Sequence, residues 1–567
     1  MRKIRWQLLI AVGGILLIIG LLIGQTPDLE EMSAQPVRGG VFIEAVTGQI
    51  IRLNPILDFY NQVDRDIDRL LFSGLVQFDS RGNAIPDLAE SWAVSADATL
   101  YTFTLRDDAF WHDGTPVTSD DVVYTFSKLQ DEDYPGSPDL HEMWSQINII
   151  RLDEHNIQFQ LPEPYAPFLD YLAIGLLPDH ILRGVSASEL IDHPFNLYPI
   201  GTGPFQFDAY LTNEEDAIDG VALTAFGDFY GNVPFLERFE FHCFDSVANA
   251  LSAFSAGEVN SIAGVDNANL ASVLDNPALG LFTARLPQVT LVFLNLQNQE
   301  NDILAEKDFR QALMLGLNRE WIINETLGGQ GLVPLGPIFP GTWAHASTLP
   351  SIPFDTTAAM DLLDGLEYLL PVGAAPGTGE YIRTNEGEPL TLELTYADTP
   401  YFTQLAGLLQ ESWQALGIEV TLRAVSAEAL QAEVLTPRDF EAVLTEIDLS
   451  RYPDPDPYPF WHDSQTETGQ NYSGFEDRNS SIWLEQARIT PDPYRRAELY
   501  RSFQYRFQDQ LPALLLSYPV YSYAVDAQVN GITMGPLLDP SDRFNNVEEW
   551  YLLARRPADI QPDVTTE

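Results

Sequence analysis

Residues 88–126 read LAESWAVSADATLYTFTLRDDAFWHDGTPVTSDDVVYTF, and the spacing of apolar residues changes along this stretch. Apolar residues first alternate at Trp92 and Val94, and they alternate again at Tyr101, Phe103 and Leu105. A polar segment at residues 95–99 separates the two runs. Two alternating runs joined by a short polar turn predict a β-hairpin.

The end of the same stretch predicts a helix. Thr118 and Asp121 have the spacing of a capping box, with aspartate in place of the usual glutamate. Val122, Phe126 and Leu129 then follow at helical spacing. The block WHDGTP at 111–116 lies between hairpin and helix, and its Asp-Gly pair predicts a turn with a structural role.

Strands and helices also alternate on both sides of this stretch. A first strand is predicted at 41–45, ending at Thr47 and Gly48, and an amphipathic helix at 63–71. Further along, residues 392–396 alternate, residues 402–416 step by three and four, and residues 418–422 alternate again. Strand, helix and strand with a short return predict a βαβ unit with a parallel strand pair.

Two more segments in the second half have clear patterns. Phe309, Leu313, Leu317 and Trp321 lie at helical spacing, so one amphipathic helix is predicted through them. Residues 511–525 form an apolar, aromatic run interrupted by two prolines, which predicts strands that return the chain to an earlier sheet. The second half therefore contains an α/β lobe, and the first half is richer in strands.

The composition is that of a large, acidic, globular protein. Its 567 residues are too many for one hydrophobic core, so two or three lobes are expected. With 82 acidic and 30 basic residues the net charge is −52, which repels phosphate backbones and argues against nucleic-acid binding. The single cysteine, Cys243, excludes an internal disulfide, and the alternation around it predicts a strand with a buried thiol.

The N-terminus carries an apolar run from Leu8 to Ile23 behind Arg2, Lys3 and Arg5. As a helix this run would span about 26 Å, close to a hydrocarbon core of ~30 Å. The basic flank favours the cytoplasmic side, which places the rest of the chain outside. A cleaved signal peptide and a buried core helix are the alternatives. Because the run is long for a signal peptide and lacks a good cleavage site, a membrane anchor is predicted at 1–25, with a polar spacer at 26–38.

Several motifs together resemble the family 5 extracellular solute-binding proteins, the peptide- and nickel-type receptors of ABC importers. The resemblance extends from about Gly39 to Tyr551. Its motifs are the stretch 88–126, GTGPF (201–205), VFLNLQN (292–298), FRQALMLGLNRE (309–320), DPDPYPFWHDSQ (454–465) and NYSGFEDR (471–478).

The resemblance implies an α/β fold of two lobes that close over a ligand like a clamp, preceded here by the predicted N-terminal transmembrane helix. Lobe I would comprise residues 39–290, with an extra subdomain at about 75–200, and lobe II residues 291–517. Residues 518–556 would return to lobe I, and residues 557–567 would form a disordered tail. The chain would cross between the lobes near 287–294 and near 517–525.

No catalytic motif is found in the sequence. The eight histidines are scattered, and there is no His-Glu-x-x-His, nucleophile elbow, phosphate-binding loop or dinucleotide fingerprint. So many carboxylates are present that a pair at glycosidase spacing carries no information. No cluster of soft ligands suits nickel or another bare metal. We therefore expect no catalytic residues, no metal site and no cofactor.

The segment DLSRYPDPDPYPFWHDSQ, residues 448–465, is the strongest candidate for a ligand site. Its prolines hold the backbone extended. Tyr452 and Trp461 supply flat apolar surface, and Arg451, Asp454 and Asp456 supply charge. A rigid loop of this composition suits a cleft wall that stacks on a ligand and orients it. The alternative is a surface loop whose aromatic side chains fill the core beneath it.

Arg451 departs from the pattern of the family. In the dipeptide and oligopeptide receptors that the chain resembles, this position holds an aspartate that pairs with the α-amino group of the peptide. An arginine would repel an ammonium and attract a carboxylate. Recognition of an acidic peptide or an oligosaccharide is therefore favoured over ordinary capture of a peptide N-terminus, although Asp454 or Asp456 could substitute with a different geometry.

Six further residues are weaker candidates for contact with a ligand. Two end the first strand, a usual place for ligands in open α/β sheets, one lies beside the hinge, one would cover the cleft, and two follow the rigid loop. For each of them, turn formation or core packing is the alternative. They are Thr47, Gly48, Asn295, Trp343, Asn471 and Tyr472.

The sequence thus predicts an extracytoplasmic, membrane-anchored receptor of an ABC importer. It would capture a peptide or an oligosaccharide-like solute between two lobes and deliver it to permease subunits. The alternatives are a ligand-sensing module of the same fold without transport, and a secreted hydrolase.

Overall fold

A computed structural model describes residues 35–213, 215–378, 380–450 and 453–555. The predicted anchor, most of the predicted spacer, the predicted tail, Arg451 and Tyr452 lie outside these ranges. Residues 35–37 of the predicted spacer form a strand that pairs with residues 553–555. Within the described ranges, no helix combines the length and the apolar character needed to cross a membrane.

The strands follow in chain order. They are β1 (Gln35–Val37), β2 (Val41–Thr47), β3 (Val76–Phe78), β4 (Ala84–Pro86), β5 (Ala89–Val94), β6 (Leu100–Leu105), β7 (Asn148–Arg151), β8 (Asn156–Gln160), β9 (Phe205–Thr212), β10 (Ile218–Ala225), β11 (Arg238–Phe244), β12 (Ser261–Ile262), β13 (Leu279–Arg285), β14 (Gln288–Leu294), β15 (Gly331–Leu332), β16 (Thr384–Asn385), β17 (Glu388–Pro389), β18 (Thr391–Ala397), β19 (Glu419–Val425), β20 (Ala442–Asp448), β21 (Ala513–Asp526) and β22 (Leu553–Arg555).

The α-helices are α1 (Gln62–Leu71), α2 (Ser119–Leu129), α3 (Pro138–Ser145), α4 (Asp179–Leu182), α5 (Val247–Ala256), α6 (Asn267–Leu274), α7 (Lys307–Leu315), α8 (Arg319–Leu327), α9 (Thr356–Gly365), α10 (Pro400–Gln414), α11 (Ala427–Ala429), α12 (Tyr458–Trp461), α13 (Arg478–Arg488) and α14 (Pro493–Gln510). Short 3₁₀ helices lie at Ala166–Leu172, Ser188–Asp192, Pro194–Leu197, Asp302–Ala305, Asp463–Gln465, Pro540–Phe544 and Val547–Glu549, and a π-helical turn lies at Leu430–Leu435.

One long sheet passes through both lobes, in the strand order β19-β18-β20-β14-β21-β12-β2-β11-β10-β9. Its continuity depends on the 14-residue strand β21. The first half of β21 pairs with β14 up to Ser517, and its second half pairs with β13 from Val520 onward. Pro519, which has no N–H to donate, lies between these two ladders. The strands predicted at 511–525 are therefore one strand shared by the two lobes.

The chain also passes between the lobes at the turn from β13 to β14. β13 pairs with the lobe I half of β21, whereas β14 lies between β20 and the lobe II half. Each lobe has its own core. The core of lobe I centres on Phe42, Trp111 and Trp550. In lobe II, Trp413 and Trp461 belong to two separate buried clusters.

The local structure predicted around residues 88–126 is confirmed. β5 and β6 form the antiparallel hairpin, with Trp92 opposite Phe103. Thr118 and Asp121 form the capping box at the start of α2. The hairpin, β7 and β8 make a four-stranded sheet, and its buried residues Tyr101, Phe103 and Phe159 belong to the core of lobe I. Cys243 lies in β11 as predicted, half-buried, and burial raises the pKa of its thiol to about 11.

In the second half of the chain, the predicted βαβ unit is confirmed, and the prediction of a single helix through residues 309–321 is wrong. β18 and β19 flank α10 and pair in parallel. The helix predicted through Phe309 and Trp321 is instead two helices, α7 and α8. α7 ends at the helix breaker Gly316, and the Asn318 side chain caps α8 by accepting the backbone N–H of Trp321 at 3.1 Å. A side-chain cap starts a new helix at this point, although the apolar spacing continues across it.

Candidate ligand site between the lobes

A cavity of about 730 Å³ lies between residues 59–171 of lobe I and the 448–488 part of lobe II. This volume is in the range of small-molecule binding sites, ~300–1,000 Å³. The lobe I wall is formed by Phe59, Asp139, Glu142, Met143, Gln146, Ile147, Leu161, Pro162, Glu163, Tyr165, Pro167, Asp170 and Tyr171. The lobe II wall is formed by Asp448, Leu449, Asp454, Asp456, Pro459, Phe460, Gln465, Thr468, Gly469, Gln470 and Arg488.

The lobe II wall is held in place by aromatic residues that point away from the cavity. Trp461, only 3% exposed, packs against Phe293 and Phe507, with ring centroids at 5.6 and 4.7 Å. Its neighbour His462 is buried, and its Nδ1 accepts the backbone N–H of Ser464 at 3.0 Å. The core-packing alternative for this loop therefore applies to Trp461, whereas Phe460 lines the cavity.

Both acids of the proline-rich loop are paired within lobe II. Asp454 is buried, forms an ion pair with Arg496, and accepts a hydrogen bond from the hydroxyl of Tyr500 at 3.0 Å. Asp456 accepts from Nε of Arg488 at 2.8 Å and lies 2.7 Å from its Nη2. Because both arginines come from α13 and α14, these helices fix the two carboxylates at the cavity wall.

Three contacts join the lobes around the cavity. The backbone N–H of Asp454 donates to Oδ2 of Asp170 at 2.8 Å. The backbone N–H of Trp343 donates to the carbonyl of Arg81 at 3.3 Å. The guanidinium of Arg488 lies 5.8 Å from the ring centre of Tyr165. The two lobes are therefore in contact in this structure, with a cavity that is open to solvent between them.

Asp170 has the most perturbed environment among these contacts. It lies in the 3₁₀ helix Ala166–Leu172 and is buried against lobe II. Burial raises the pKa of its carboxyl group well above the ordinary value. The Arg496 guanidinium opposes this rise, and the Asp456 carboxylate adds to it. The carboxyl group of Asp170 is thus sensitive to whether the lobes are closed around it.

The predicted site residues fall into three groups. Asp454 and Asp456 line the cavity. Arg451 and Tyr452 lie outside the described residues. The remaining seven are not among the described lining residues of this cavity. They are Thr47, Gly48, Asn295, Trp343, Trp461, Asn471 and Tyr472.

Several residues in the third group hold backbone or side chains in place. The Asn295 amide donates to the carbonyls of Arg438 and Phe440 at 3.2 and 3.1 Å. The buried Asn471 amide donates to the carbonyls of His462 and Phe475 at 3.0 and 2.8 Å. The ring of Tyr472 packs edge-on against Phe293. These asparagines stabilise the loops beside the cavity.

The other members of this group lie at the periphery or in lobe I. Trp343 is half-buried, packs against Tyr500 with the two rings tilted by 41°, and has the guanidinium of Arg496 at 4.9 Å from its ring centre. Thr47 and Gly48 end β2, and the N–H of Gly48 donates to the carbonyl of Phe244 at 3.1 Å. Trp343 therefore supports the Asp454–Arg496 pair and reaches lobe I through its backbone.

Sequence reasoning missed most of the lobe I wall and the arginine of lobe II. Phe59, Tyr165, Asp170 and Tyr171 come from segments that carry no regular spacing, and Arg488 ends an ordinary amphipathic helix. The aromatic-rich run YAPFLDY at 165–171 was the one available signal. Only the tertiary arrangement brings these residues opposite the proline-rich loop.

The cavity wall is strongly acidic. Among the described lining residues there are seven carboxylates, and Arg488 is the only basic side chain. Asp139, Glu142 and Glu163 are exposed on the lobe I side, whereas Asp454 and Asp456 are paired. Such a wall attracts ammonium groups. Within the ranges that the structure describes, no group of three or more histidine, cysteine or acidic side chains is arranged to hold a metal ion.

Known proteins with similar sequences cover nearly the whole chain. The oligopeptide-binding protein AppA of Bacillus subtilis (strain 168) is 25% identical over 535 residues, which is 92% of this chain and 93% of that protein. The dipeptide-binding protein of Escherichia coli (strain K12) is 25% identical over 509 residues, 84% of this chain and 88% of that protein.

The fold is also that of solved structures. HbpA2 from Haemophilus parasuis superposes with a TM-score of 0.77 at 20% identity, over 89% of this chain and 99% of the other. This similarity confirms the predicted two-lobed α/β fold. Residues 83–470, more than half of the chain, match the family model described as bacterial extracellular solute-binding proteins, family 5 Middle. The chain belongs to the family 5 bacterial extracellular solute-binding proteins.

Proposed function

We propose that this receptor binds a peptide in the cavity between its lobes and delivers it to the permease of an ABC importer. The observation that carries the proposal is the cavity of about 730 Å³ whose walls come from both lobes. The matched oligopeptide- and dipeptide-binding proteins support a peptide as the ligand. Membership of a solute-binding family supports a receptor that releases its ligand unchanged, rather than an enzyme.

The composition of the cavity fits a peptide ligand. Phe59, Tyr165, Tyr171 and Phe460 offer flat surfaces on which side chains of many kinds can pack. The acidic lobe I wall offers partners for the N-terminal ammonium, the role that the related peptide receptors give to an aspartate where this chain has Arg451. Because ligand contacts from both lobes exist only in the closed form, binding shifts the protein from open to closed by its differential affinity for the two forms.

The proposal is tested by binding and compaction together. Pools of peptides of two to nine residues and a pool of oligosaccharides are presented to the purified protein. Native mass spectrometry identifies bound components, calorimetry gives the affinity, and small-angle scattering gives the radius of gyration. We expect peptides to bind and the radius of gyration to fall. Binding of sugars alone, or peptide binding without compaction, would contradict the proposal.

Two variants locate the binding site. Tyr165→Ala removes an aromatic surface from the lobe I wall, and we expect it to weaken peptide binding. Tyr494→Ala is the matched control, because Tyr494 is 84% exposed at the start of α14 and is not a lining residue of the cavity. Equal affinity of the two variants and the original chain would place the peptide elsewhere.

We also propose that the protein works outside the cytoplasm and is tethered by its N-terminal segment. The family description supports an extracellular location, and the apolar run Leu8–Ile23 behind three basic residues supports the tether. The proposed boundaries are 39–290 and 518–556 for lobe I and 291–517 for lobe II. Mass spectrometry of the membrane fraction tests the tether: we expect N-terminal peptides from the segment before residue 25, and a mature chain that starts beyond it would indicate cleavage instead.

A further inference from the structure

Arg488 is held in one orientation at the cavity wall. Its Nε donates to Oδ2 of Asp456 at 2.8 Å, and its Nη2 lies 2.7 Å from the same oxygen. Its Cζ lies over the ring of Tyr458, 3.8 Å from the ring centre, and 5.8 Å from the ring centre of Tyr165 in lobe I. The contact with Asp456 and the stacking on Tyr458 together remove most of the rotational freedom of this side chain.

One edge of the guanidinium remains unused. Asp456 occupies the edge formed by Nε and Nη2, and Nη1 has no hydrogen-bond acceptor among the residues that the structure describes. The side chain of Arg488 is 27% exposed and is part of the cavity lining. The edge formed by Nη1 and the outer N–H of Nη2 matches the spacing of two carboxylate oxygens.

The basic side chain of the cavity lies on the lobe II wall, and most of the unpaired carboxylates lie on the lobe I wall. Arg488 is the only basic side chain among the described lining residues, and its own counter-ion Asp456 is already paired with it. Four exposed carboxylates without an ion pair to a described residue line the cavity: Asp139, Glu142 and Glu163 on the lobe I side, and Asp448 at the end of β20 on the lobe II side. Because three of these four carboxylates face Arg488 from the opposite wall, a ligand with a carboxylate at one end and an ammonium at the other is favoured in one direction.

We propose that Arg488 binds the C-terminal carboxylate of the peptide through its free edge, with the ammonium end directed to the acidic wall of lobe I. This rests on the proposed function, because it assigns a residue to the same cavity. A carboxylate held by Arg488 also lies near Tyr165, so it contacts groups of both lobes. Arg488 is thus a specificity-determining residue that selects peptides with a free C-terminus.

The direct test changes the ligand rather than the protein. The peptide that binds best in the pooled screen is synthesised with a free C-terminus, as the C-terminal amide, and as the N-acetylated acid. Calorimetry at constant salt measures the Kd of each for the original chain. Loss of a charge-assisted bidentate contact should raise the Kd of the amide about 10-fold or more. Equal Kd values for acid and amide would overturn the assignment of Arg488 and leave the proposed function intact.

Variants assign the effect to Arg488. In Arg488→Gln, acid and amide should bind with the same Kd, and Arg488→Lys should recover only part of the discrimination, because an ammonium cannot form the bidentate contact. Arg495→Gln is the matched control, since Arg495 is exposed and pairs with Glu498 on α14. Discrimination that persists in Arg488→Gln would place the carboxylate elsewhere.

A second variant covers the case in which Arg488→Gln does not fold. Asp456→Asn keeps Arg488 and removes the neighbouring negative charge, so the preference for acid over amide should stay or increase. A decrease would contradict the proposal. If no peptide of the pool binds the original chain in any form, the proposed function fails, and the assignment of Arg488 fails with it. That result differs from binding of acid and amide with equal affinity.

Discussion

The proline-rich loop depends on residues of α14 that pair with the carboxylate of Asp454. This carboxylate is buried, and its charge is compensated by Arg496 and by the hydroxyl of Tyr500. A buried ion pair adds little net stability, but removing one partner leaves an uncompensated charge in the interior. The loop can therefore present its backbone to lobe I only while α14 supplies this arginine.

We predict that Arg496→Leu destabilises lobe II by about 3–5 kcal/mol, the usual cost of leaving one partner of a buried pair without its counter-ion. Urea unfolding followed by tryptophan fluorescence measures the change. Arg495→Leu, one residue earlier on the exposed side of the helix, should change the free energy of unfolding by less than about 1 kcal/mol. Similar values for the two variants would show that the Asp454 pair does not stabilise the loop.

His112 gives a pH-dependent prediction. Its Nδ1 accepts the N–H of Gly201 at 3.1 Å, so its Nε2 carries the proton and donates to the carbonyl of Gly203 at 3.1 Å. Burial lowers the pKa of this imidazole to about 4. Between pH 6.5 and 4 the unfolded chain binds a proton that the folded chain does not. The contribution of His112 to stability is therefore complete above pH 6.5 and is lost as the pH falls, by about 3 kcal/mol in total.

The measurement compares the original chain with His112→Gln, which cannot titrate. The free energy of unfolding in urea is determined at half-unit steps from pH 4 to pH 7.5 for both proteins. We expect the difference between them to decrease by about 3 kcal/mol from the neutral to the acidic end. A constant difference across this range would mean that His112 titrates equally in the folded and unfolded chains.

At the level of single residues, the sequence indicated which polar residues lie near the site, but not which of them line the cavity and which hold a loop in place. Asp454 and Asp456 were expected to be in the site and do line the cavity, where Arg496 and Arg488 pair with them. Asn295 and Asn471 were expected there too, yet their amides bind backbone carbonyls of nearby loops. An asparagine suits either role, and only the positions of those carbonyls decide between them.

Among the elements, the turn from α10 to β19 in the βαβ unit of lobe II depends on a single glycine. Gly417 follows α10 with φ +87°, a conformation that glycine adopts without steric cost. A Cβ added there would lie 2.7 Å from Cδ2 of Leu370 and 3.0 Å from Cγ of Arg383. The turn therefore requires glycine both for its backbone conformation and for the space beside it.

We predict that Gly417→Ala costs about 3 kcal/mol, of which roughly 1–2 kcal/mol comes from the left-handed backbone and the rest from the contact with Leu370. Gly387→Ala is the control, because Gly387 has φ +94° and no atom within 4 Å of the added carbon. It should show only the backbone cost. Thermal and urea unfolding measure both, and equal losses would mean that the neighbouring side chains move aside freely.

The elements that the sequence predicted correctly are those whose signal is local. The hairpin of β5 and β6 and the capping box of α2 depend on residues within a few positions of each other. The boundary between α7 and α8 was missed because the apolar spacing continues across it while the Asn318 cap interrupts the helix. The unbroken strand β21 was missed because its continuity depends on β13 and β14, which are distant in sequence.

For the whole molecule, the two lobes are connected by β21 and by the turn from β13 to β14, and closure adds contacts across the cavity. Asp170 of lobe I accepts the backbone N–H of Asp454 in lobe II at 2.8 Å, facing the Asp454–Arg496 pair and Asp456. With the lobes in contact as they are here, burial raises the pKa of its carboxyl group well above the ordinary value of 3.8. Opening the lobes would return the carboxyl group to water and lower its pKa. Closing therefore takes up a proton at any pH between the pKa of the exposed carboxyl group and the raised pKa of the buried one.

The sign of the resulting pH dependence follows by linkage. On the proposed function, peptide binding closes the lobes and takes up a proton at Asp170, so the Kd should fall as the pH is lowered towards the ordinary value of 3.8, by at most a factor of about 10 per pH unit. Asp170→Asn, which resembles the protonated form, should lose this slope while still accepting the Asp454 N–H. Asp139→Asn, on the exposed cavity wall, is the control and should change the Kd without changing its slope. Calorimetry in buffers of different ionisation enthalpy measures the proton uptake directly, and an equal uptake by the original chain and Asp170→Asn would show that closure does not change the protonation of Asp170.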